Sequence, residues 1–79
     1  MDHTNYLSND TRRDILRQFY TGESPRLIAI GLRWRDPRLT ERDAERIVID
    51  TILFYGGHYK EFKETGEVIV PDKPAKIKI

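Results

Sequence analysis

Few residues in this sequence have types that could carry chemistry. The only histidines are His3 and His58, and there is no cysteine. His58 and Glu61 stand three apart, so on a helix they share a face and could reach one cation. A metal site needs more ligands than these two, and the neighbouring sequence offers none. There is no Gly-rich phosphate loop, no nucleophile motif and no His-Glu-x-x-His zinc motif. Most carboxylates sit at helix starts or beside arginines, where helix dipoles and exposed ion pairs account for them. The expectation is a non-enzymatic protein: no catalytic residue, no metal, no cofactor and no small-molecule substrate.

The remaining chemistry belongs to arginine. All nine arginines lie between Arg12 and Arg46, and all five lysines at Lys60 or later. From Arg12 to Thr40 seven arginines stand against Asp14, Glu23 and Asp36, although the whole chain carries a formal charge of only +1. Such a segment attracts an anionic surface locally. Solvated surface arginine is the plainer reading. Trp34, between Arg33 and Arg35, reads either as an interface anchor or as a core tryptophan closing a bundle.

Helices must position these groups. The fold class expected is mostly α: a compact three-helix bundle (about 10–20, 25–34 and 41–55) in one domain, 1–79, with a C-terminal extended tail. Residues 1–7 form a polar lead-in, with Tyr6 and Leu7 placed to staple back onto the first helix. The Ser8-Asn9-Asp10-Thr11 cluster is rich in capping residues, and Ile15, Leu16, Phe19 and Tyr20 then share one face. Gly22 can take the left-handed conformation that ends a helix, Ser24 can cap the next, and Pro25 fits its first turn. Leu27, Ile28, Ile30, Leu32 and Trp34 wrap most of the second helix, which predicts extensive burial. Gly31 costs roughly 1 kcal/mol against alanine in a helix interior. It marks either close helix packing or the helix end.

Residues 33–38 form a connection. Asp36 precedes a proline and is pushed from helical geometry. Thr40, with Asp43 three residues on, is a clear helix start. Along the third helix Ala44, Ile47, Val48, Thr51, Ile52 and Tyr55 form a stripe, while Ile49 and Leu53 lie nearly opposite. Two apolar faces imply a helix sandwiched within the domain or shared between two chains. Gly56-Gly57 ends it, and residues 58–64 offer one or two further turns closed by Gly66. Residues 67–70 and 75–79 read as short strands, forming either a hairpin or an extended strand that pairs with another chain.

The order and spacing of Ile15-Leu16, Phe19, Gly22-Glu23-Ser24, Ile28-Ala29 and Leu32 resemble the helix-turn-helix DNA-binding superfamily. The likeness is to its small three-helix recombinase and repressor type, and it covers about residues 15–33. A C-terminal hairpin would extend it to a winged helix with Lys73 and Lys76 on the wing. The resemblance implies a transcriptional regulator that binds double-stranded DNA through Arg26, Arg33, Arg35, Arg38 and Arg42, with arginine reaching guanine edges or phosphates. The sequence departs from the pattern at residues 33–39, where a proline and a late cap replace a short turn. Glu41, Asp43 and Glu45 would also repel a phosphate backbone. The alternative is a small phage-type inhibitor or adaptor that binds a host protein. Under either reading Trp34, Ile49 and Leu53 are the expected interface residues, and the regulator is expected to act as a homodimer. The missing cysteines suit a reducing cytoplasm. No apolar run nears the ~20 residues of a membrane span, and no secretory signal is visible.

Overall fold

The computed structural model describes residues 8–71. Among them are four helices: α1 (Asn9–Tyr20), α2 (Pro25–Arg35), α3 (Glu41–Tyr55) and α4 (Tyr59–Thr65). Each of the first three begins where a side-chain oxygen meets an orphan amide. Ser8 accepts from the Thr11 amide, Ser24 from Leu27 and Thr40 from Asp43. α1 ends in a Schellman arrangement: the Gly22 amide donates to the Phe19 carbonyl and the Glu23 amide to Gln18. That closure needs a left-handed residue, and Gly22 supplies it at φ +102°.

α3 is the central element. It packs most against α2, then against α1, while α1 and α2 touch least. One core cluster joins Ile15, Ile28, Ala29, Leu32, Ala44, Ile47 and Val48. Ala29 of α2 and Ala44 of α3 share this cluster with Ile28, Ile47 and Val48, and all five have almost no exposed surface. A second cluster, Leu16, Tyr20, Tyr55 and Val68, sits at the far end of α1 and gathers Phe54 and Phe62. α4 covers this end, with the Tyr59 and Phe62 rings tilted against the Tyr20 ring at 5.5 and 5.3 Å between centroids.

Three expectations change. The second helix is not buried around its circumference: Leu27, Ile30 and Trp34 are exposed, because α1 and α3 approach it from one side and, among the described residues, no element packs on the other. α3 is not sandwiched either, since Ile49 is exposed and Leu53 half-buried on its outer side. Residues 67–70 are not a strand. Val68 turns inward while Ile69 turns out, so the alternation in the sequence reflects one anchoring side chain under α4 and not a ladder. The proposed second strand at 75–79, the wing lysines Lys73 and Lys76, and Tyr6 and Leu7 lie outside the described residues.

The α3 exit is sterically tight. A Cβ on Gly56 would collide with the Ile52 carbonyl, whereas one on Gly57 would meet nothing within 4 Å. Gly56→Ala is therefore expected to cost about 1–3 kcal/mol, the range for overpacking, and Gly57→Ala close to nothing. Urea unfolding of the two variants side by side measures the difference.

Candidate functional site

α2 has two opposed apolar faces. At 100° per residue, Ile28, Ala29 and Leu32 point toward α1 and α3, and all three are buried. Leu27, Ile30 and Trp34, at i, i+3 and i+7, fall nearly opposite, within an arc of about 60°. They are 55%, 43% and 83% exposed. Trp34 is thus not a core tryptophan. Gly31 lies beside them on the same outer side, and the helix continues past it for another turn to Arg35.

The connection to α3 builds one wall of this face. Asp36 and Pro37 open a turn in which the Leu39 amide donates to the Asp36 carbonyl at 3.1 Å. The Asp36 carboxylate accepts from the Arg38 amide at 3.2 Å and from its guanidinium at 3.0 and 3.3 Å. The Arg38 hydrogen bond holds the Asp36 carboxyl below its usual pKa. Arg33 donates through Nε to the Leu39 carbonyl at 3.2 Å. These bonds hold the turn that borders a shallow, open apolar groove of about 370 Å³, lined by Ile30, Arg33, Trp34 and Pro37.

The five arginines expected to form one DNA-contacting row are placed differently from one another. Arg35 is paired with Asp14 of α1, Arg38 with Asp36, and Arg33 spans the turn to Leu39. Arg26 and Arg42 are exposed on α2 and α3. Because α3 begins at Glu41 behind the Thr40 cap, Arg35 and Arg38 lie before the helix and not on its first turn. That turn carries Glu41 and Asp43. Ile49, also expected at an interface, is 45% exposed on α3, a separate apolar spot flanked by Arg42 and Arg46 at helical spacing. Leu27, Ile30 and Gly31 were not among the expected contact residues. Their i, i+3, i+4, i+7 relation to Trp34 was the signal for them, masked because the same pattern marks a buried helix.

A smaller polar group lies at the α3–α4 corner. His58 Nδ1 is 3.7 Å from Glu61 Oε1. The buried Tyr20 hydroxyl makes no hydrogen bond of good geometry. Among the described residues no three His, Cys, Asp or Glu side chains come together to hold a metal ion. Burial lifts the Tyr20 phenol above its usual pKa of 10.0, the His58 backbone partly opposes this, and the Glu61 charge adds to it. The folded state then holds this proton more tightly than the unfolded chain. Its contribution is complete below pH ~10 and is lost as pH rises from there through the higher folded value. Tyr20→Phe is expected to keep the ring contacts, change stability little at neutral pH and flatten the loss above pH ~10. Thermal unfolding across the alkaline range tests this.

The described chain is therefore a small helical bundle with one half-pinned apolar face. No helix among the described residues is long and apolar enough to cross a membrane. Comparison with protein-family models, with curated proteins and with solved structures finds no match.

Proposed function

We propose that the chain is a small non-enzymatic protein-binding module, an adaptor or inhibitor, and that it docks its partner on the outer face of α2. The observation that carries this reading is the exposed Leu27, Ile30 and Trp34 at helical spacing, with an open groove beside Ile30 and Trp34. Exposed tryptophan beside arginine is the composition of an interface anchor. A stripe of three large apolar side chains on one helix face differs from the scattered apolar residues of ordinary surfaces. A cytoplasmic site of action fits the cysteine-free sequence.

Duplex DNA binding is the competing reading, and the exposed Arg26 and Arg42 favour it. Against it, Arg35 and Arg38 already have carboxylate partners, and the α3 start is acidic. The test uses the full chain as bait in a native cell extract, alongside Trp34→Ala and Ile49→Ala. The docking reading expects one stoichiometric protein, retained by wild type and by Ile49→Ala and lost with Trp34→Ala. Retention of duplex DNA that weakens with salt at a slope of ~ −0.9 per phosphate neutralised, and that ignores Trp34→Ala, would overturn it.

A further inference from the structure

We infer that the element docked on α2 is a single amphipathic helix of a partner protein, laid across Gly31 with an acidic edge turned toward Arg26 and Arg33. This rests on the docking reading and goes further by naming what docks. Three observations carry it. First, the fold gives no reason for glycine at position 31. Its backbone is helical, and a Cβ built there would meet nothing within 4 Å. Alanine would favour the helix more. A glycine exposed beside Leu27, Ile30 and Trp34 lets another backbone approach closely from outside. Second, the stripe suits a helix in shape and length. Leu27 to Trp34 spans roughly 10 Å along the axis, two turns, which is the reach of an i, i+4, i+7 set on a facing helix. The groove at Ile30, Arg33, Trp34 and Pro37 takes one of its side chains.

Third, the charge is one-sided. Arg26 and Arg33, seven residues apart, line one edge of the stripe. Arg35, on the other edge, is already held by Asp14. The α2 sequence Pro25-Arg26-Leu27-Ile28-Ala29-Ile30-Gly31-Leu32-Arg33-Trp34-Arg35 contains no carboxylate. A second copy brought to the same face would set α2 guanidinium groups against one another with no α2 carboxylate between them. A partner helix with glutamate or aspartate on that edge meets them with opposite charge.

The chain supplies its own probe, because Trp34 is the only tryptophan. The full-length protein is titrated with a synthetic amphipathic peptide about five turns long, with leucine on one face and glutamate along one flank. A twin peptide carries lysine on that flank. The glutamate peptide is expected to move the Trp34 emission to the blue, saturably and at least about tenfold more tightly than the lysine twin. Leu27→Ala and Gly31→Gln should each weaken it about tenfold, while Gly31→Gln melts at the wild-type temperature or above. Equal binding of the two peptides overturns the acidic edge. If Leu27→Ala weakens the glutamate peptide and Gly31→Gln does not, the helix-across-Gly31 geometry falls while docking on this face stands. If neither peptide moves the emission, the inference falls, and the extract experiment judges docking by itself. A blue shift that grows with protein concentration alone, together with a dimer in sedimentation, replaces the partner helix by a second copy.

Discussion

Trp34→Ala is expected to abolish partner capture while leaving the fold as stable as before. The reason is geometric. Trp34 is 83% exposed and belongs to neither core cluster, so its removal takes almost nothing from the folded chain. Surface substitutions of this kind usually fall within ±0.5 kcal/mol. In a complex the same side chain would be the largest apolar group of the docking face. Truncating such an anchor costs about 2 kcal/mol or more, roughly 30-fold in affinity. The two numbers are measured on one preparation, by urea unfolding followed with circular dichroism and by calorimetric titration with the retained partner. A large loss of stability would mean that Trp34 packs inside the protein after all. Unchanged affinity would remove α2 from the interface.

Ile28→Ala is expected to do the reverse. Ile28 stands one residue from Leu27 on the helix but has almost no exposed surface. It lies in the cluster with Ile15, Leu32, Ile47 and Val48, so it joins α2 to both α1 and α3. Removing a buried isoleucine side chain costs about 2–5 kcal/mol, through lost transfer energy and the cavity left behind. A core of this size rarely supplies more than about 3–5 kcal/mol in total. The variant should therefore be largely unfolded at 37 °C, with exchange of backbone amides no longer protected in α2. Binding would fall only through the missing folded fraction. Glycerol or a lower temperature that restores the fold should restore binding too, which separates this variant from Trp34→Ala. Leu32→Ala serves as a second case from the same cluster.

Much of this molecule was legible along the chain. Helix starts are local chemistry: a hydroxyl three residues ahead of an amide, at Ser8, Ser24 and Thr40. Helix ends are local too, at Gly22 and at Gly66 with φ +76°. The third helix runs over the residues expected for it, and the late Thr40 cap outweighs any earlier start at Pro37. Periodicity also identified the stripe from Ala44 to Tyr55, because a helix buried on one side repeats its apolar residues along that side.

Tertiary packing decided the rest. In α2 the residues on both faces are apolar, and periodicity cannot tell which face meets the core. That depends on where α1 and α3 lie, and they lie on the side of Ile28, Ala29 and Leu32. The arginines pose the same problem. Their number and sequence positions were plain, but Arg35 meets Asp14 only because the end of α2 comes to rest beside α1, twenty-one residues away in sequence. Val68 was legible as apolar and extended. That it anchors to Leu16, Tyr20 and Tyr55 without a strand partner is a matter of which surfaces come together. Local sequence determined where each helix begins and ends, since capping bonds reach only three or four residues. Which side chains stay exposed depended on contacts between distant segments, and no short-range pattern encodes those.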